Sequence, residues 1–509
     1  MFERDNRGTA HDMRSFLSSA HAAGLLDIVD SPVDLADIAQ HLDGAERAVY
    51  FSKVGPEGAK LVGNVAGSRD LLALAFDTTG DGLLKEVNGR LANPKGTRAV
   101  GTGEAPVQDV VLTGDDADFS RLPIHLQHGL DGGNYVSAST DIVMDQSTGM
   151  TNVGMRRLMV RGRREAGVDL IAPSDLRAIY ETSVERGEHL PVAFVIGSHP
   201  VDHVAATMRI PVDEVGLMAS LRGEDMPVVK CQTNHLMVPA DAECILEGYF
   251  DSAGYVAPEG PYGEFMGYYG GVKINPIFRL TAITHRRDPI FQTSTISGAH
   301  LGRTDASQLM SLRTEVTVWR ALESAVREPL NVHATTSSGG VSNVRISLRQ
   351  RVPGEARNAI AAALASLANI KHAFVYDPDI DIFSSEQCDW ALATRFQADR
   401  DFVVMEGMRT IPLDPSLVGA RVGAKAGFDC TMPRTVATSM EAQIPRPPVI
   451  EGRRFASVEA ALEDGPKTFA ELMAAIQTRD GREIYAVFDT LNASGRLGRD
   501  KSGAWILTD

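Results

Sequence analysis

The sequence predicts an α+β protein of several domains. At 509 residues the chain exceeds what one ordinary hydrophobic core organises, so two to four domains are expected. Strand-like runs dominate residues 111–305, and helix–strand alternation flanks that stretch on both sides. The expected plan is an N-terminal α/β domain over 1–110, a β-rich domain over 111–305, a C-terminal α/β domain over 306–445 and a small tail over 446–509.

The elements follow in order. Asp12 suits a helix cap, with Phe16, Leu17 and Ala20 on the apolar face and an end near Gly24. Leu35, Ile38, Ala39 and Leu42 mark a second helix, and 48–54 reads as a strand. Turn residues thicken at Asn93-Pro94-Lys95-Gly96 and Gly101-Thr102-Gly103. Strands are expected at 137–143, 192–196, 227–231 and 279–284, with short helices at 173–183 and after Asp213. An antiparallel sheet or barrel with inserted helices fits this better than a doubly wound sheet. Beyond it, 306–327 and 356–367 read as helices and 344–348 and 373–376 as strands. The run Gln443-Ile444-Pro445-Arg446-Pro447-Pro448 is a linker. The tail then carries helices through Phe469, Leu472, Met473 and Ile476 and through Ile484, Val487 and Leu491. A hairpin closing on Trp505-Ile506-Leu507 makes it winged-helix-like.

Composition excludes several classes of function. The chain is 43% hydrophobic and 23% charged, which is globular rather than disordered or low-complexity. No apolar run approaches the roughly 20 residues of a membrane span. Residues 1–7 lack the basic-then-apolar pattern of a secretory leader. Sixty-six acidic residues against fifty basic ones give a net charge of −16, which disfavours nucleic acid as a partner. An anionic substrate therefore needs a locally basic pocket. Cys231, Cys244, Cys388 and Cys430 form no C-x-x-C pair, so reduced thiols in a cytoplasmic protein are expected.

Three clusters carry chemistry. In Glu259-Gly260-Pro261-Tyr262-Gly263-Glu264 two carboxylates bracket a turn that can fold both toward one point, where enclosure would push their pKa values apart. On spacing alone an acidic surface turn is the simpler reading. In Thr151-Asn152-Val153-Gly154-Met155-Arg156-Arg157-Leu158-Met159-Val160 adjacent arginines on a strand make an anion site, or else a charged edge strand. Asn152, Asp175 and Glu214 suit a hard cation, although Asp175 equally opens a helix. Zinc H-x-x-x-H, phosphate-loop and G-x-S-x-G patterns are absent.

In this order the clusters resemble the UbiD family of reversible decarboxylases that use prenylated FMN. The likeness covers about residues 12–440. It is reinforced by Pro227-Val228-Val229-Lys230-Cys231 leading to Asn234, Met237, Val238 and Pro239, by Leu130-Asp131-Gly132-Gly133-Asn134-Tyr135, and by Asp379-Ile380-Asp381-Ile382 before Trp390. The resemblance implies a central flavin-reductase-like split β-barrel and an oligomerising C-terminal domain. It implies reversible loss of CO₂ from an unsaturated or aromatic acid, the flavin taking up the electrons left behind.

Residue by residue, Arg157 matches the arginine that orients the carboxylate. Glu264 matches the proton donor, and Glu259 the glutamate that tunes the arginine. Asn152, Asp175 and Glu214 match the Mn²⁺ (or Mg²⁺) ligands, Asp175 standing where several members have histidine. Met155, Arg156, Arg157, Ser174, Thr207, Met208 and Arg209 join Asn152 as expected cofactor contacts, with K⁺ near Thr207 and Met208. A phosphate-contacting lysine of the family falls on Glu386, and Arg209 is the candidate to restore its charge. Residues 293–304 match the variable pocket, with Thr293, Ile296, His300 and Arg303 as lining. Their polarity points to a hydroxybenzoate, pyrrole or indole acid. The implied partners are that acid, CO₂, a flavin prenyltransferase as cofactor supplier, and further copies in a homodimer or multiple of dimers. Asp175 and Glu386 also motivate an alternative, a flavin-free binding or assembly subunit. DNA reading by the tail is disfavoured by charge.

Overall fold

The computed structural model describes residues 2, 6–437 and 439–508. The chain forms two compact units, 1–430 and 431–509. At the centre of the first is a closed antiparallel barrel of six strands. These are β1 (Tyr135–Met144), β2 (Thr151–Gly162), β3 (Glu165–Val168), β4 (Leu190–Ile196), β5 (Cys244–Phe250) and β6 (Ile277–His285). Their order round the barrel is β5-β4-β1-β2-β3-β6, and β6 pairs back with β5. The expected 137–143, 192–196 and 279–284 strands are the middles of β1, β4 and β6.

The barrel closes because both faces of its strands are apolar. Along β4, Val192, Phe194 and Ile196 enter one core while Ala193 and Val195 enter another, the period-two alternation of a strand covered on both sides. Phe194, Phe250 and Phe278 meet edge to face at centroid distances of 4.9 to 6.3 Å. Gly248 is required where β5 bulges, since a Cβ there would lie 2.0 Å from the Arg279 carbonyl oxygen.

The core that takes in Ala193 and Val195 also holds helices α1 (Pro200–Thr207) and α2 (Glu214–Arg222) through Val201, Val204, Val215 and Met218, and both helices pack on β2. Asp213 caps α2 by accepting from Gly216 N–H (2.9 Å). Buried Arg222 locks the pair, Nε on Asp202 and Nη1 on Asp241, each at 2.7 Å. Helix α1 was not expected from the sequence. Its His199-Pro200 start carries no strong cap residue, and all eight residues, Asp202 and His203 among them, are buried, so no solvent-facing polar side marks it as amphipathic.

The N-terminal helix spans Met13–Ala22, capped by Asp12 on Ser15 N–H (2.8 Å) with Phe16, Leu17 and Ala20 buried. It packs on strand Leu26–Val29, which forms a sheet with Ala48–Val54 and Ala59–Gly63. A fourth strand of this sheet, Ile290–Gln292, returns from beyond the barrel to lie parallel to the third. That return ties the first ninety residues to the segment that follows β6. The C-terminal sheet has the order Pro329–Ala334, Asn343–Leu348, His372–Tyr376, Val422–Asp429, Phe402–Arg409. Helices Asp305–Ala325 and Glu355–Ser366 pack against it. Lys425 is buried under the second helix, donating to the Leu364 and Leu367 carbonyls at 2.8 and 2.7 Å and so capping its C-terminus.

In the second unit, helices Val458–Glu463, Phe469–Ala475 and Tyr485–Ala493 precede a hairpin of Leu497–Arg499 with Trp505–Leu507. Leu472, Ile484, Phe488 and Leu491 form its core. Among the described residues no helix is long and apolar enough to cross a membrane.

Candidate active site

Arg157, on β2, is the hub of an enclosed ion network. Its Nε and Nη2 grip the two oxygens of Glu259 at 2.9 and 3.3 Å. Nη1 donates to Glu264 Oε2 at 3.1 Å, and Nη2 also to Asp169 Oδ2 at 3.1 Å. Three carboxylates thus share one guanidinium, with Lys273 Nζ 2.6 Å from Asp169 and 3.8 Å from Glu264 Oε1. Tyr262 lies under the guanidinium at 4.5 Å, a cation–π contact.

The glutamates converge because their segment folds back on itself twice. Ala257–Glu259 pairs with Lys273–Asn275, and Tyr262–Gly263 pairs with Tyr269–Gly270. Between them Gly260 takes a φ of +92°. Gly132, from the Leu130–Tyr135 stretch, fits against that turn, its N–H on the Pro261 carbonyl at 2.8 Å. A Cβ on it would lie 2.3 Å from the Gly260 oxygen. Gly132→Ala is therefore expected to cost about 1–3 kcal/mol of stability as the turn is pushed aside. A thermal melt unchanged from wild type would contradict this close fit.

The three carboxyls are not equivalent. Glu259 has no exposure and is held in bidentate fashion. Burial raises the Glu264 pKa, Arg157 and Lys273 only partly offsetting it, and its buried Oε1 has no hydrogen-bond partner. For Asp169 burial is outweighed by Arg157 and Lys273, so its pKa is lowered. Burial opposes charge on Arg157 too, but Glu264 and Glu259 outweigh it and its pKa is raised. The result is one permanently charged clamp and one carboxyl, Glu264, poised to hold or release a proton.

A second cluster joins Asn152 to Glu214. Asn152 Nδ2 and Val153 N–H donate to Glu214 Oε2 at 2.7 and 2.5 Å. Burial lifts the Glu214 pKa to about 7, Asp141 and Asp175 adding to it while the Val153 N–H and Asn152 amide work against it. Asp175 is exposed at the start of helix Asp175–Glu185, and Ser174 caps that helix by accepting from Arg177 N–H (3.2 Å). Thr207 gives its hydroxyl to the Val204 carbonyl (2.8 Å), Met208 is buried, and Met155 packs on the core. Among the described residues no three His, Cys, Asp or Glu side chains converge as a metal cage. Of the five basic residues over 156–164, Arg161, Arg163 and Arg164 pair with Glu165, Asp118 and Asp115 at the surface. The strand is not an edge, because β2 pairs with β1 on one side and β3 on the other, so the charged-edge reading is corrected: those three charges sit at and beside the β2–β3 turn.

The expected pocket residues part into two groups. Ile296 packs with Tyr135, Met159 and Tyr262. Thr293 is buried and 2.9 Å from His125 Nε2 and 3.1 Å from Ser137 Oγ. His300 and Arg303 instead reach the N-terminal segment. His300 is 3.6 Å from Asp43, and Arg303 bonds the Gly44 carbonyl (3.2 Å) and pairs with Glu46 (2.8 Å). Between the groups lies a cavity of about 340 Å³ lined by Gln40, His125, Gln127, His128, Ile296 and Arg303, among others.

Sequence reasoning missed His125, Gln127 and His128, although two histidines three apart before Leu130-Asp131-Gly132-Gly133 were a signal. The His128 Nδ1 lies 3.0 Å from buried Asp131, which can only accept, so Nδ1 carries the proton and Nε2 is left for a ligand. Asp131 also accepts from Gly263 N–H (2.9 Å), and Gln127 accepts from the Tyr262 hydroxyl (2.5 Å). These bonds couple the cavity wall to the Arg157 network. Asp169 and Lys273 were missed as well, having no local pattern to distinguish them.

Residues 17–91, 98–300 and 307–430 match the N-terminal, Rift-related and C-terminal domains of 3-octaprenyl-4-hydroxybenzoate carboxy-lyase, the UbiD family. The anhydromevalonate phosphate decarboxylase of Methanosarcina mazei is 31% identical over 82% of this chain and 95% of its own. The phenolic acid decarboxylase of Bacillus subtilis is 30% identical over 83% and 92%. Among solved structures, the UbiD-class enzyme HmfF from Pelotomaculum thermopropionicum in complex with FMN is similar, with TM-score 0.80 and 32% identity over 86% of this chain and 98% of its own. Its evolved dimeric form in complex with prFMN aligns with TM-score 0.77 and 30% identity over 86% and 97%.

Proposed function

The chain belongs to the UbiD family of carboxy-lyases, and from that premise we propose that it reversibly decarboxylates an aromatic or heteroaromatic acid using prenylated FMN. The observation that carries this reading is Arg157 shared between Glu259 and Glu264, with Glu264 Oε1 buried and without a hydrogen-bond partner. When bound, prenylated FMN supplies the carbon centre that takes up the electron pair left as CO₂ departs.

The residues divide the remaining work. Arg157 has five N–H donors, and four bonds to Glu259, Glu264 and Asp169 leave one, on Nη1, for the substrate carboxylate. Protonation of Glu264 weakens its hold on that same Nη1 and frees the guanidinium edge for the incoming acid. Once CO₂ has left, Glu264 delivers its proton to the carbon, and in carboxylation it removes one. Glu259 keeps Arg157 charged and oriented throughout.

Asn152 and Glu214, with Asp175 at the rim, present the oxygens a divalent cation takes, and a bound Mn²⁺ or Mg²⁺ would stabilise the Glu214 carboxylate against the burial, and the lesser repulsion from Asp141 and Asp175, that lift its pKa. K⁺ belongs near Thr207 and Met208. His125, Gln127, His128 and Thr293 favour a ring bearing hydroxyl or N–H groups, read by His128 Nε2. A flavin prenyltransferase supplies the cofactor, and the chain works in the cytoplasm as a dimer or a multiple of dimers, a reading the dimeric HmfF form supports. The acidic tail serves packing or assembly.

The test is a substrate panel on protein co-expressed with a flavin prenyltransferase and supplied with Mn²⁺ and K⁺. Hydroxybenzoate, pyrrole and indole acids should turn over, and His128→Leu should raise KM for hydroxylated rings more than for plain ones. A preference for cinnamate-type or phosphorylated aliphatic acids over all of these would contradict the substrate class.

A further inference from the structure

Four arginines face one another in a chain that reaches Glu214 through Arg209, and among the described residues only Arg156 of the four makes an ion pair. Arg313, on helix Asp305–Ala325, is only 7% exposed, its Nε has no partner, and Nη1 meets nothing better than the Met310 sulfur at 3.5 Å. Among the described residues no carboxylate pairs with it. Burial, and then the like charge of Arg209, lower its pKa to about 10. Arg209 itself feels Arg156 and Arg409. Among the described residues neither Arg209 nor Arg409 makes an ion pair or side-chain hydrogen bond, and both are exposed. Arg156 leaves its buried Nε unsatisfied, 3.5 Å from Asp141. The carboxylates that reach Arg209 are Asp175 and Glu214.

A buried guanidinium facing another cation is costly unless an anion completes the group. Arginine's planar fork matches a phosphate, and one buried arginine behind exposed ones makes a funnel that draws such an anion in. Glu386, by contrast, is exposed in the first turn of helix Ser385–Arg395, where its charge suits the helix end. It offers a phosphate nothing.

We propose that Arg313, with Arg209, Arg156 and Arg409 around it, forms the site for a phosphate monoester dianion, and that the dianion is the phosphate of the flavin. This rests on the cofactor reading above and deepens it. The positive charge that the family places at the position of Glu386 is supplied here from another helix.

The experiment titrates apo-protein, with Mn²⁺ present, with FMN and with riboflavin, following flavin fluorescence. Wild type is expected to bind FMN at least about tenfold more tightly than riboflavin, and Arg313→Met to lose on the order of tenfold or more for FMN only. Unchanged riboflavin binding shows that the variant is folded. Should Arg313→Met fail to fold, exposed Arg209→Met is expected to lose severalfold for FMN, again with riboflavin unchanged. Undiminished FMN affinity in the folded variants overturns the proposal and leaves the cofactor reading standing. So does a variant with normal FMN binding that loses turnover on a phosphorylated acid alone, which would assign the site to a substrate phosphate. A wild-type chain that binds neither flavin overturns the cofactor reading itself.

Discussion

Replacing Glu264 with glutamine is expected to lower decarboxylation at least about 100-fold while leaving flavin content and the thermal midpoint near wild type. The amide keeps the volume of the carboxyl and still accepts from Arg157 Nη1, so the network closes as before. What it removes is the proton. The pH profile gives a second readout. Burial raises the Glu264 pKa above its ordinary 4.5, so the protonated, donating form persists to higher pH than in an exposed glutamate. In the decarboxylation direction wild-type kcat should fall as pH rises through that raised value. The residual activity of Glu264→Gln should lack this limb. Wild-type rates in the variant would remove Glu264 from the chemistry.

Arg157→Met is expected to destabilise the protein by about 3–5 kcal/mol as well as abolish turnover, because it strands buried carboxylates without their shared counter-charge. Glu259 has no exposure and Glu264 only 6%, so solvent cannot substitute for the guanidinium. The sign with pH follows from protonation. Without Arg157, the burial that already raises the Glu264 pKa loses its largest offset, so Glu264 is stabilised in the fold only when protonated. The deficit should therefore be largest near pH 7.5 and shrink toward pH 5. Thermal melts of wild type and variant at both pH values measure it, read as midpoints because the chain has more than one unit. A deficit independent of pH would show that Arg157 acts through packing alone.

How much of this was legible in the sequence depended on whether the signal was local. The Asp12 cap, the Ala48–Val54 strand and the helix after Asp213 rest on near-neighbour chemistry, and each stands where expected. The convergence of Glu259 and Glu264 was suggested by a Gly-Pro turn between them. The resemblance supplied Arg157, whose contacts to them span 102 and 107 residues. Pairings of that range leave no local trace. The same holds for the closure of β6 on β5 and for the return of Ile290–Gln292 to the N-terminal sheet. Helix α1 was hidden by being buried on every side, which removes amphipathic periodicity. Arg313 was hidden for a related reason. Within its helix it is one charged residue among many, and only the absence of a partner in three dimensions sets it apart.

The most direct test of the account is the mass of the flavin released from protein co-expressed with a flavin prenyltransferase. A prenylated-FMN mass is the expected result. It would mean that Asn152, Glu214 and the arginines hold the cofactor despite Asp175 and Glu386. Colourless protein that releases no flavin would contradict the account, and the Arg157 network would then serve a binding or assembly subunit.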